Sequence, residues 1–115
     1  MIQSLQIAIQ TPDKHFDFDV LGSRRISAGD SVEVAPGARL VWQGSIGYKA
    51  FGEPSWATYL LEIAGAVPAG VIAAWLYHKL KGRALRMTID RTEVEIEEGE
   101  IKKVIQERID IEESP

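Results

Sequence analysis

Cysteine is absent from this 115-residue chain, so neither a disulfide nor thiol chemistry can contribute to its fold or activity. The absence fits a reducing compartment, and a cytoplasmic location is the expectation. Histidine is nearly as scarce, with only His15 and His78. That leaves little material for a metal site or a general acid–base pair. No internal repeat or low-complexity segment is visible. The first residues lack a basic stretch followed by an apolar one, so no secretory signal is expected. Positive charge is in the minority, giving a formal net charge of −4, which argues against nucleic acid as a partner.

What is present fits one globular domain over 1–115. Apolar residues make up 45% and charged residues 26%, enough for a single core at this length. The charge is segregated. Residues 1–89 carry nine Lys/Arg against seven Asp/Glu, whereas 90–115 carry four against ten. The acidic run Glu93–Glu100 reads as a solubilising face.

The dominant feature is the apolar run Ala57–Tyr77, ATYLLEIAGAVPAGVIAAWLY, followed by Lys79, Lys81, Arg83 and Arg86. Its composition predicts one long Gly/Ala-rich helix over 54–81, bent at Pro68. A helix of this length would reach across a bilayer. A membrane-anchored protein with Ala57–Tyr77 as the span is therefore an alternative. Glu62 inside the run opposes it, and the flanking strand-like segments need this run as their apolar partner.

On either side the pattern is β. Leu5, Ile7 and Ile9 alternate with Ser4, Gln6 and Gln10. His15–Leu21, HFDFDVL, alternates again. Ser31–Ala35 and Ala38–Gln43 flank a Pro36-Gly37 turn. The first 43 residues thus predict an antiparallel meander of four short strands, with Gly44–Ser55 as a glycine-rich loop. Beyond the run, Leu85–Glu97 predicts a hairpin turning at Asp90-Arg91-Thr92. Ile101, Val104, Ile105 and Ile109 then recur at helical spacing, placing a short amphipathic helix over Glu98–Ile109 and a frayed tail from Asp110. The hairpin and helix together occupy 84–109, and the fold class is α+β.

Catalytic chemistry finds few footholds. His15 stands near Asp13, Asp17 and Asp19, but on an alternating strand these carboxylates belong to a solvated face. His78 lies where it would meet a helix C-terminus. There is no metal-ligand spacing, nucleophile motif or phosphate loop, so no enzyme activity, metal or cofactor is expected. Tyr48, Phe51 and Trp56 crowd the glycine-rich loop as candidate contacts for a protein partner. Gly65, Ala69, Gly70 and Ala73 give the long helix small-residue surfaces where a second copy could approach. Arg24-Arg25 and Lys79–Arg86 are basic patches, read as solvated rims, with binding of an anion or an acidic partner as the other reading.

The stretch from Trp56 to Ile109 reads as a small-residue-rich apolar helix (LLEIAGAVPAGVIAAWL), a basic junction (HKLKGR), a β-hairpin (ALRMTIDRTEVEIE) and a closing amphipathic helix (IKKVIQERI). This layout resembles that of small effector-associated components of bacterial conflict and immunity systems. The resemblance implies an adaptor or scaffold without its own active site, and transfers no functional residues. The functional expectation is a non-catalytic protein-interaction module, a self-associating adaptor, inhibitor or immunity-type component.

Overall fold

In the computed structural model, which describes residues 2–13, 15–46 and 55–113, alternation of apolar and polar residues builds six strands. In chain order the elements are β1 (Ile2–Thr11), α1 (Phe16–Leu21), β2 (Ser31–Ala35), β3 (Ala38–Ile46), β4 (Ser55–Ala64), α2 (Ala69–Leu80), β5 (Arg86–Ile89), β6 (Thr92–Val94) and α3 (Glu98–Glu113). The strands form one antiparallel sheet in the order β2-β3-β4-β1-β5-β6. The α+β class expected from the sequence is the class observed.

The long helix over 54–81 does not form. Its first half is β4, which lies between β1 and β3 and pairs with both. Ala57, Tyr59, Leu61 and Ile63 point into the core, while Trp56, Thr58, Leu60 and Glu62 occupy the opposite face. A central strand can be apolar on both faces, and Leu60 beside Leu61 hides the period of two. Glu62 sits on the outer face, bonded to Arg39 at 2.7 Å. Gly65, at φ +84°, turns the chain out of the strand. Pro68 does not bend a helix; extended at ψ 129°, it caps the start of α2, where its missing N–H costs nothing. Only the twelve residues of α2 are helical. No helix among the described residues is long and apolar enough to cross a membrane, so the proposed span has no element to carry it.

His15–Leu21 departs from expectation in the same way. Six residues are too few for periodicity to separate strand from helix, and here α1 buries Phe16 and Val20, four positions apart. Gly22 closes it in the left-handed conformation at φ +67°, with its N–H donating to the Phe18 carbonyl. The tail is not frayed from Asp110, because α3 continues to Glu113. Of the loop expected over Gly44–Ser55, the first three residues belong to β3 and Ser55 to β4, and the remainder lies outside the described residues.

The two expected hairpins are in place. At Pro36-Gly37 the glycine has φ +91° and its carbonyl accepts the Ala64 N–H at 2.6 Å. A Cβ on Gly37 would lie 2.6 Å from the Ala64 carbonyl oxygen, so this close approach requires glycine. At the second hairpin Asp90 and Arg91 both have positive φ, 48° and 69°, as a two-residue turn of matching twist demands. Asp90 accepts the Gln6 N–H through Oδ1 at 2.8 Å, tying this turn to β1.

All three helices cover one face of the sheet. Ile72, Leu76 and Leu80 of α2, with Ile101 and Ile105 of α3, pack over Leu5, Ile7, Leu61, Met87 and Ile89. The opposite face has no covering layer among the described residues.

Candidate functional site

Strand register makes the uncovered face a grid. One row across it reads Ser31, Val41, Leu60 and Gln6, and the next reads Gly44, Thr58, Ala8 and Thr88. Neither stretch carries a charge, and the second ends at Glu93 of β6, which pairs with Thr88. Val41, Leu60, Ala8, Thr58 and Thr88 are only partly accessible, as expected for neighbours packed side by side on a twisted sheet.

Charge appears at the borders of this band, where Arg39 and Arg86 are each paired with a carboxylate and the exposed Glu33 stands opposite Arg39 in the register. On one side Arg39 Nε meets Glu62 Oε1 at 2.7 Å. On the other, Arg86 Nε meets Glu93 Oε1 at 2.7 Å, and the Arg86 guanidinium lies 5.7 Å from the centre of the Trp56 ring. The Arg86 hydrogen bond and charge hold the Glu93 carboxyl below its usual range. The Arg86–Glu93 pair is exposed on both sides and contributes little stability, while in the first pair an exposed Arg39 meets a partly buried Glu62. They frame an uncharged, partly apolar surface.

A different cluster occupies the end of the sheet near α1. Arg83 donates to Asp13 Oδ2 from Nε at 2.9 Å and from Nη2 at 2.6 Å, and to Asp19 Oδ2 at 2.5 Å. Its guanidinium sits 5.4 Å from the centre of the Phe16 ring. The Asp13 carboxyl is held below its ordinary value, first by Arg83 and then by the His15 backbone N–H. Asp17 turns the other way and accepts the hydroxyl of fully buried Tyr59. Burial pushes the Asp17 carboxyl up, against the pull of that hydroxyl; burial and the neighbouring carboxyl also push the Tyr59 hydroxyl well up. The Trp42 indole N–H approaches the same carboxylate and favours its charged form without reaching hydrogen-bond geometry.

Asp13, His15, Asp17 and Asp19 are therefore not one site. Two of the carboxylates anchor the connection after α2, one anchors β4, and the exposed His15 ring lies 6.5 Å from that of Phe18. No group of three His, Cys, Asp or Glu residues placed to hold a metal occurs among the described residues. His78 lies in the last turn of α2.

Of the residues expected to contact a partner, Tyr48 and Phe51 lie outside the described residues. Trp56 stands at a border of the uncovered face. The four residues expected to support self-association serve other purposes. Ala69 and Ala73 are buried in the chain's own core, at 3% and 0% exposure. Gly70 faces α3, where a Cβ would lie 3.6 Å from Lys102 Cε, and Gly65 is the exposed turn after β4. The small residues let α2 approach its own sheet and helix partner. Leu60, Val41 and Thr58 were not singled out from the sequence; their only signal is a second apolar stripe alternating with the first, hidden within the continuous run.

Comparison of the chain with protein-family models, with curated proteins and with solved structures gives no match.

Proposed function

We propose that this protein is a non-catalytic interaction module that works as a homodimer, two copies meeting through the uncovered face of the sheet. The observation that carries the reading is the uncharged band between the Arg39–Glu62 and Arg86–Glu93 pairs. A sheet face built only to meet water alternates charged and polar residues. A face with an uncharged centre and a charged border has the anatomy of an interface. Size supports it as well. Six strands about 4.8 Å apart and up to ten residues long, at about 3.3 Å per residue, offer roughly 600–800 Å² over the whole face, its charged borders included. A stable interface needs about 800 Å² from each partner.

The module's setting is the reducing cytoplasm, a reading supported by the absence of cysteine. An adaptor or inhibitor role is supported by the order of α2, hairpin and α3, through the resemblance of that layout to conflict-system components.

Sedimentation equilibrium across a wide concentration range tests the proposal. The wild-type chain should sediment as a dimer and Leu60→Arg as a folded monomer, because a guanidinium at the centre of the band would be buried without a partner. A wild-type chain that remains monomeric, or a Leu60→Arg chain that remains dimeric, overturns it.

A further inference from the structure

On the helix-bearing side of the sheet, at the end of β3 away from the Pro36-Gly37 turn, lies a cleft of about 460 Å³. It is lined by Asp17 and Phe18 of α1, by Arg24, Arg25 and Ile26 of the following connection, and by Trp42 and Ser45 of β3. The connection is held in place by its own chemistry. The Ser23 hydroxyl donates to the Arg25 carbonyl at 2.8 Å and accepts the Arg25 N–H at 3.3 Å, setting the bend at Arg24-Arg25. Further along, Gly29 N–H donates to the Trp42 carbonyl, and Trp42 N–H to the Asp30 carbonyl, each at 2.8 Å. Asp30 also accepts the Ser27 N–H at 2.8 Å. The two arginines thus stand on a segment laced to the strand.

The cleft's polar groups are mostly unused donors. Arg39, Arg83, Arg86 and Arg108 each sit beside a carboxylate. Arg24 and Arg25 have no ion pair among the described residues. The Trp42 indole N–H is buried and faces the Asp17 carboxylate without a hydrogen bond that meets normal geometry. The one anion in the wall, Asp17, is engaged by Tyr59, and two guanidiniums against it leave the lining net positive. Phe18 and Ile26 add an apolar flank. The larger depression at the far end of β3, about 560 Å³, differs in chemistry: its only cation, Arg39, is already bonded to Glu62.

We infer that the Arg24–Arg25 cleft binds a small molecule carrying an oxyanion on an apolar body, a carboxylate or a phosphate monoester. Guanidiniums present a planar fork that matches either group in two-point hydrogen bonds. The volume falls within the range of about 300–1,000 Å³ typical of small-molecule sites. The oxyanion belongs at Arg24 and Arg25, away from Asp17, and the apolar body against Phe18 and Ile26.

The experiment is titration of the isotope-labelled full chain with phenyl phosphate, benzoate and inorganic phosphate separately, following the three tryptophan indole N–H signals. A saturable shift of the Trp42 signal at millimolar concentration or below is expected with phenyl phosphate or benzoate, with Trp75 unmoved. Whichever of the two binds more tightly identifies the oxyanion, and inorganic phosphate should bind more weakly than phenyl phosphate. Arg24→Gln with Arg25→Gln should weaken binding by at least about tenfold, since hydrogen bonds to charged groups are lost. The Lys/Lys variant should recover part of the affinity, and both substitutions lie on an exposed segment where folding is readily verified from the same spectrum. A Trp42 signal that never saturates with any of the three probes, or a shift unchanged in the Gln/Gln variant, overturns the inference. Neither outcome bears on the dimer, which uses the opposite face.

Discussion

Single residues carry two opposite pH dependences. Asp17 has its carboxyl raised by burial, so the folded chain binds a proton there more tightly than the unfolded chain does. Its contribution to stability is complete below its ordinary value of 3.8 and is lost as pH rises from there through the raised folded value. Asp13, lowered by Arg83 and the His15 N–H, has the reverse sign. Its contribution is present above 3.8 and is lost as pH falls through the lowered value. Asp17→Asn keeps an oxygen for the Tyr59 hydroxyl and removes the first dependence only. The stability difference, Asp17→Asn minus wild type, should therefore increase with pH above about 3.8 and then level off, while the Asp13 contribution cancels. Urea denaturation at a series of pH values measures it. A difference that decreases as pH rises would show that Asp17 is stabilised in its charged form.

At the scale of elements, β4 is where the sequence and the fold part company. As a strand, it should show sharp alternation when its residues are shortened. Leu61→Ala removes a side chain wholly enclosed by the core and should cost about 3 kcal/mol. Leu60→Ala, measured at protein concentrations low enough to keep the chain monomeric, should cost less than half as much, since Leu60 faces outward. Equal losses from denaturant unfolding would argue for a segment buried all round, as in the helix that composition suggests. The contrast shows how far the sequence could be read. Leu5, Ile7 and Ile9 were legible because Ser4, Gln6 and Gln10 mark their other face as wet. The Pro36-Gly37 turn, the Asp90-Arg91 turn and the α3 stripe were legible from local chemistry. In β4 the outer face offers Leu60 and Thr58 in place of charge, so the period of two vanished into an apolar run. The same property makes that face an interface candidate. Phe16–Leu21 failed for another reason: over six residues, Phe16, Phe18 and Val20 satisfy a strand pattern, and the helix is decided by Gly22 and by burial of Phe16 and Val20. The Tyr59–Asp17 bond joins residues 42 positions apart and required the sheet to be in place before it could be seen.

For the whole molecule, the arrangement is two-faced. One side of the sheet is sealed by α1, α2 and α3, and the other exposes an uncharged band to whatever meets it. The small residues of α2, which suggested a helix-to-helix contact between copies, are occupied within the chain. The proposed self-association is therefore assigned to the sheet rather than to the helix. The most direct test is an isotope-filtered nuclear Overhauser measurement on a mixture of labelled and unlabelled chains, which reports only contacts between copies. Cross-peaks should link the methyl groups of Leu60 and Val41 in one copy with Thr58 or Ala8 methyls in the other, and none should involve Ala69 or Ala73. A spectrum without intermolecular peaks at these positions, or with peaks confined to α2, would contradict the account.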